Sequence, residues 1–153
     1  MIWKPHATVA AIVERNGKFL MVEEKADGLI VYNQPAGHLD PDESIIHAAV
    51  RETHEETAWQ FHPEAIVGIY LWDQPGTERS FLRFAFCGTV SDHDESQDLD
   101  TGILRAVWLT REELLAMPEK IRSPMVITCI DDYLAGKRYP LDILRDEPGN
   151  ISQ

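Results

Sequence analysis

Along residues 6–14 (HATVAAIVE) the chain is rich in β-forming residues, and RNGKF follows. Asn16-Gly17 is the strongest short hairpin signal in the chain, because a type I′ turn needs positive φ at both central positions. Residues 18–24 (KFLMVEE) then alternate as the return strand. Residues 25–33 read as a loop holding a short apolar run, LIVY. Pro35 and Gly37 exclude a helix after it, so NQPAGHL reads as extended chain leading into a turn. Residues 42–57 (DESIIHAAVRETHEET) carry the best helical pattern, with Asp42 as expected N-cap and Pro41 just before it. Two β-rich stretches, 64–73 and 80–90, flank the turn QPGTE. Residues 91–102 are acidic, turn-rich and without periodicity, and 103–109 (ILRAVWL) read as a strand. Thr110 caps a short helix, with Glu113 at the capping-box position. A last helix is expected over about 123–136, with Pro124 in its first turn and Gly136 as its stop.

The order of strands, helix, strands and two helices is not a regular βαβ alternation. It predicts an α+β domain with a mixed or antiparallel sheet. A single domain is expected over residues 1–140, followed by a loose tail over 141–153. No internal repeat or low-complexity tract interrupts it.

Composition narrows the function classes. In 153 residues, 14 Lys and Arg stand against 26 Asp and Glu, a formal charge of −12. With 44% hydrophobic residues the chain has an ordinary globular composition, and at this length roughly 68–70% of the unfolded surface is buried on folding. Such acidity argues against a nucleic-acid polymer or an anionic membrane surface as partner. A small anionic substrate stays open, provided that cations bridge the two negative partners. Cys87 and Cys129 each lie in an apolar run and read as buried free thiols of a reducing compartment. The first twenty residues carry Lys4, Glu14, Arg15 and Lys18, and no stretch approaches a secretory core or a membrane span. The expected location is the cytoplasm, as a monomer or homodimer.

On a helical wheel of residues 45–56, continued to Thr57, Ile46, Val50, Thr53 and Thr57 share one stripe, the expected buried side. Glu52, Glu55 and Glu56 share another, with Ala48 and Ala49 beneath them. Glu52 stands at i,i+3 and i,i+4 from the other two, so three carboxylates crowd one patch. They also lie toward the helix C-terminus, where the macrodipole disfavours anions. Two things offset that cost: full solvation, or bound hard cations such as Mg²⁺ or Mn²⁺. The cluster alone does not choose between them.

The wider spacing does. Gly37, five residues, Glu43, seven residues, then Arg51-Glu52-Thr53-His54-Glu55-Glu56 resembles the Nudix box, GX5EX7REUXEEXGU with U apolar. All six charged or glycine positions through Glu56 fit. Thr53 stands where an apolar residue is usual, and Ala58 replaces the final glycine, with Trp59 after it. KPHATVA, GKFLMVEE, NQPAGHLD, FLRFAF, RSP and RYPL extend the likeness to the NudJ-type phosphatases of that family. The resemblance implies an α/β/α sandwich with a mixed sheet between helices. It also implies Mg²⁺-dependent hydrolysis, with Mn²⁺ as substitute, of nucleoside di- and triphosphates and thiamine-type pyrophosphates by water attack at phosphorus. Carried over, Glu52, Glu55, Glu56 and the Gly37 carbonyl become metal ligands. Arg51 becomes the cation that orients the glutamates, and Glu43 its partner.

The base is a carboxylate, with Glu55 or Glu56 first and the acidic loop second. That loop offers Asp94, Glu95, Asp98 and Asp100, and Asp100 is preferred. Arg83 is a candidate for a phosphate contact or a plain strand cation. Tyr32 is a candidate for stacking on a substrate ring or for packing, and Gln34 for a substrate hydrogen bond. Arg122 and Arg138 are candidates for terminal-phosphate contacts, with surface charge the favoured reading for both, and His47 and His54 read as polar surface without a zinc site. Three other readings remain beside the phosphohydrolase: a nucleotide-sugar or dinucleotide pyrophosphatase such as an ADP-ribose pyrophosphatase, a ligand-binding domain without turnover, and a structural Ca²⁺ protein. The last lacks any EF-hand spacing.

Overall fold

A computed structural model describes residues 1–147. Eight strands and three helices follow one another: β1 His6–Ile12, β2 Glu14–Arg15, β3 Lys18–Ala26, β4 Leu29–Asn33, β5 Ala36–His38, α1 Ile45–Thr57, β6 Gln60–Asp73, β7 Ser80–Ser91, β8 Ile103–Thr110, α2 Arg111–Leu115 and α3 Pro124–Leu134. One mixed sheet runs β5-β1-β7-β6, with β1 parallel to β7 and the other pairs antiparallel. A second, antiparallel sheet is built on β3, which pairs with β2, β4 and β8.

The apolar run of β1 is buried because helices cover both of its faces. Val9, Ala11 and Val13 join Ala48 and Ala49 of α1 in one cluster, with Phe61 and Phe86. Ile12 joins Val126, Cys129 and Ile130 of α3 in the other, with Val67 and Ala85. This is the expected α+β sandwich with a mixed sheet between helices. Cys87 and Cys129 are buried free thiols.

Three details differ from the sequence reading. Residues 29–33 are not loop but strand β4, paired with β3 from Val22↔Asn33 to Ala26↔Leu29. The turn before it is Asp27-Gly28, with φ of 51° and 79°, the same doubly positive pair found at Asn16-Gly17. An Asp-Gly between two β-rich runs is itself a type I′ hairpin signal. Helix α1 is capped by Ser44, not Asp42: the Ser44 hydroxyl accepts from His47 N–H at 3.1 Å. Asp42 instead sits at φ 61° and turns the chain into the cap. Strand β6 begins at Gln60, and Pro63, which cannot donate to the ladder, lies at a register shift.

The tail from residue 141 opens with a 3₁₀ turn over Leu141–Ile143, and Leu141 and Leu144 pack against the α1-side cluster. Its last six residues, 148–153, lie outside the described residues.

Gly28 isolates the contribution of the β3–β4 turn, because a Cβ there would meet nothing within 4 Å. Gly28→Ala should lower the unfolding free energy by about 1–2 kcal/mol through left-handed backbone strain alone, measured by urea denaturation. An unchanged midpoint would mean that the turn does not hold β4 in place.

Candidate functional site

The C-terminal half of α1 is turned inward, and its acidic flank goes with it. Buried on this helix are Ala48, Ala49, Glu52, Thr53, Glu56 and Thr57. Ile46 and Val50, expected at the centre of the buried stripe, are only partly covered. The expected stripe is therefore rotated: the glutamates lie against protein, not against bulk water. Thr53, which departs from the usual apolar residue, is fully buried, and its hydroxyl donates to Ala49 O at 2.8 Å. Ala58 takes the left-handed conformation at φ 62° that glycine would supply, and its N–H closes the helix on His54 O.

Arg51 organises the flank. Its guanidinium has five N–H groups, and five acceptors receive them. Nε and Nη2 grip the two oxygens of Glu43 at 2.8 Å each. Nη2 also donates to His38 O at 3.0 Å. Nη1 donates to Glu52 Oε1 at 2.8 Å and Glu55 Oε2 at 3.2 Å. Asp40 adds a carboxylate 3.4 Å from Nε, and its own N–H donates to Glu43. The bidentate grip lowers the Glu43 pKa to about 2. One cation thus faces three directly bonded carboxylates, and the flank keeps a net negative charge.

Gly37 of β5 lies against this flank. A Cβ at Gly37 would fall 2.1 Å from Glu52 Cδ, so only glycine leaves that carboxylate its place. On the next residue back, Ala36 N–H donates to Glu56 Oε1 at 2.9 Å. Glu56 is 8% exposed, and burial pushes its pKa up to about 9 against that single hydrogen bond. Glu52 is raised in the same direction, first by burial and further by Glu55 and Asp100.

The acidic loop returns to the same place for a structural reason. A helix leaves its last carbonyls without partners, and this loop supplies them. Asp100 N–H donates to Glu55 O at 2.9 Å, the Gln97 amide to His54 O at 2.9 Å, and Asp94 N–H to Ala58 O at 3.1 Å. This docking brings the Asp100 carboxylate to Glu52 and Glu55. One oxygen from each of the three lies within 4.8 Å of the others, a grouping able to hold a metal ion. The donor set is all oxygen, the chemistry of Mg²⁺, Mn²⁺ or Ca²⁺ rather than of zinc. Asp94, by contrast, accepts from Ser96 in an exposed turn.

These groups form one wall of a cleft of about 350 Å³, to which Gly37, Glu52, Glu56 and Asp100 all contribute. Arg83 and Arg122 also line it. Arg83 is not a surface strand cation but is 4% exposed, and Arg122 lies 3.7 Å from Glu24. Arg138 bonds to the Tyr133 and Lys137 carbonyls and covers the Tyr133 ring instead.

Two sequence candidates do not reach the cleft. The Tyr32 ring is buried in the α3-side cluster, with its hydroxyl donating to Glu23 at 2.6 Å. Gln34 is 1% exposed and spans the protein between Val126 O and Arg83. Among the lining residues that were not singled out are Glu24, Trp72 and Phe81. The rings of Trp72 and Phe81 stack at 5.9 Å. Glu24 follows a β-bulge at Glu23/Glu24, and burial raises its pKa. That bulge breaks the alternation by which a strand announces its inward positions, and the aromatics resemble any paired strand residues.

Comparison with known proteins agrees with this geometry. The NUDIX domain model matches residues 4–127. Phosphatase NudJ of Escherichia coli K12 is 40% identical over 145 residues, covering 95% of this chain and 94% of that protein. The solved NUDIX hydrolase from Nitrosomonas europaea is 50% identical, with a TM-score of 0.93 over 96% of this chain and 100% of that one. A UDP-X diphosphatase shares the fold alone, at 17% identity and a TM-score of 0.72 over 92% of this chain and 68% of its own.

Two outcomes follow from this geometry. Gly37→Ala should leave the fold intact, since the flexible Glu52 side chain can yield, but should weaken divalent-cation binding by about 10–100-fold in calorimetry. Wild-type affinity would mean that the position of Glu52 does not matter. The metal-free protein should also lose stability as pH rises. A carboxyl raised from 4.5 to about 9 binds more protons folded than unfolded over that interval. Its contribution is complete below about pH 4.5 and gone above about 9. Glu43 acts oppositely, stabilising above pH 4.5 and losing its contribution as pH falls towards about 2. Thermal unfolding of the metal-free protein between pH 5 and 9 should show the decline, and Glu56→Gln should flatten it.

Proposed function

The chain belongs to the NUDIX family and is a hydrolase of phosphoric anhydride bonds, and on that premise we propose a Mg²⁺-dependent hydrolase of nucleoside di- and triphosphates and related pyrophosphates, thiamine-type compounds among them. The observation that carries the reading is the convergence of Glu52, Glu55 and Asp100 within 4.8 Å, on a cleft that also holds the buried Glu56 and Arg83. An acidic protein thereby acquires the cations it needs to hold an anionic substrate. The name of the Escherichia coli relative, a phosphatase, favours this substrate class over a sugar nucleotide.

Glu52, Glu55, Glu56 and the Gly37 carbonyl would hold Mg²⁺, with Mn²⁺ as substitute. The bound ion supplies charge neutralisation at the phosphoryl oxygens and a lowered pKa for its water. The chain's own residues do the rest. Arg51 keeps Glu52 and Glu55 oriented while its grip on Glu43 anchors it to the turn before α1. Gly37 keeps the Glu52 carboxylate free to face the cleft. Asp100, exposed at the rim beside the Glu52 and Glu55 carboxylates, takes the proton of the attacking water instead of completing the ligand set, and Glu55 is the alternative acceptor. Glu56 is neutral at pH 7 until a cation binds beside it, so it serves as ligand before it could serve as base.

Small phosphorylated molecules are the partners. No helix among the described residues is long and apolar enough to cross a membrane. Two buried thiols suit a reducing compartment, and we place the protein in the cytoplasm.

The test is a phosphate-release panel with Mg²⁺ and Mn²⁺ on nucleoside tri- and diphosphates, thiamine pyrophosphate, ADP-ribose and dinucleoside polyphosphates. Nucleoside di- and triphosphates should give the highest kcat/KM, and a preference for ADP-ribose would establish the pyrophosphatase alternative instead. Glu56→Gln should lower kcat by at least about 100-fold with the fold retained. Asp100→Asn should lower it by roughly 10²–10⁴-fold if Asp100 is the base. Wild-type turnover in Glu56→Gln would sink the metal-site reading.

A further inference from the structure

The buried guanidinium of Arg83 has a role that the carboxylate wall does not explain. It stands on β7, paired with Thr8 of β1 and Tyr70 of β6, at the centre of the mixed sheet. At 4% exposure a charged side chain is ordinarily paired with an opposite charge. Arg83 is not. Nη1 donates to Gln34 Oε1 at 2.8 Å and Nη2 to Asn33 Oδ1 at 3.0 Å, both neutral amides. Cys129 Sγ lies 3.9 Å from Nη1. Nε is buried with no hydrogen-bond partner among the described residues, and no carboxylate there lies within ion-pair distance of the guanidinium. Arg51, by comparison, spends all five of its N–H groups, four of them on carboxylates.

Gln34 makes this arrangement rigid. It is 1% exposed, and its amide nitrogen donates to Val126 O of α3 at 2.8 Å, which leaves the carbonyl aimed at Arg83. A glutamate of the same shape there would neutralise the cation, whereas glutamine holds it and keeps its charge intact. Arg83 helps to line the cleft that holds the carboxylate wall.

We propose that Arg83 is the receptor of a second anion subsite in this cleft, taking a phosphoryl group of the substrate other than the one the carboxylate wall addresses, with Gln34 as its positioning residue. The proposal deepens the functional reading above and rests on it for the identity of the substrate. A phosphoryl oxygen supplies what is missing: an acceptor for the open N–H groups and a counter-charge for a buried cation. The substrate class follows. Compounds with two or more linked phosphoryl groups engage both subsites, whereas a phosphate monoester engages one.

The decisive experiment separates anion binding from catalysis. Inorganic phosphate is titrated into the metal-free protein in EDTA by calorimetry, and steady-state kinetics are run with Mg²⁺ on a nucleoside diphosphate. Arg83→Met should weaken phosphate binding by at least about 10-fold and raise KM by a similar factor, with kcat changed far less. Gln34→Glu, which preserves shape, should do the same to KM by neutralising the cation. Glu56→Gln should lower kcat by at least about 100-fold yet keep phosphate binding. If both Arg83→Met and Gln34→Glu keep wild-type phosphate affinity and KM, the second subsite does not exist. If kcat falls in both while KM and phosphate affinity are unchanged, the two residues are structural only and the proposal is overturned. Loss of hydrolysis in the wild type, with Arg83-dependent phosphate binding preserved, would refute the hydrolase reading and leave the subsite standing.

Discussion

The grip of Arg51 on Glu43 is the contact on which the rest of the site depends. Four glutamates and two aspartates gather along one flank of a single helix, and like charges at such spacing repel one another. A guanidinium with all five N–H groups engaged converts that repulsion into a fixed arrangement. It draws the turn before α1, the His38 carbonyl of β5 and the helix itself onto one point. A lysine could not do this, because a compact ammonium lacks the planar fork that holds two carboxylate oxygens at once.

Compensation by Arg51 is deliberately incomplete. Glu56 and Glu52 remain in partly desolvated positions where burial raises their pKa values, and Asp100 is added to the same side by a loop whose docking is dictated by unpaired helix carbonyls. Stability alone would have placed a cation at the C-terminal end of α1. The surplus of negative charge there is the physical signature of a site that is completed by something positive. Across the cleft the imbalance has the other sign: Arg83 is buried with neutral partners only. The cleft therefore presents excess negative charge on one wall, and on another a buried guanidinium that makes no ion pair, although Glu24 lines the same cleft.

The scaffold explains why these walls hold still. Gly37 sits in register with Val9, and Arg83 with Thr8, so β1 separates the strand that carries the glycine from the strand that carries the arginine by one ladder step each. Helices α1 and α3 pack on opposite faces of that sheet. Gln34 ties Arg83 to α3, as Arg51 ties α1 to β5. Each wall of the cleft is thus anchored to a different face of the core.

Local signals in the chain were enough for a helix ending at Thr57, though not for its Ser44 cap, and for the Asn16-Gly17 hairpin, the capping box at Thr110 and the α+β class, because turns and periodicity act over a few residues. The spacing from Gly37 to Glu56 carried the carboxylate wall for the same reason: it lies almost entirely on one turn and one helix. The Asp27-Gly28 hairpin was equally local and was obscured only by the short apolar run after it. What sequence could not reveal was every feature set by distant partners. The rotation of α1 that buries Glu52 and Glu56, the inward turn of Glu24 at a bulge, and the Trp72–Phe81 stack depend on which strand lies beside which. The same holds for the exchange of roles between Tyr32, Gln34 and Arg83. Tyr32 and Gln34 sit in a motif that points to substrate, yet packing against α3 and a hydrogen bond from Arg83 occupy them. A residue's type states what it can bond to, but only the folded chain decides which bonds its neighbours have already taken.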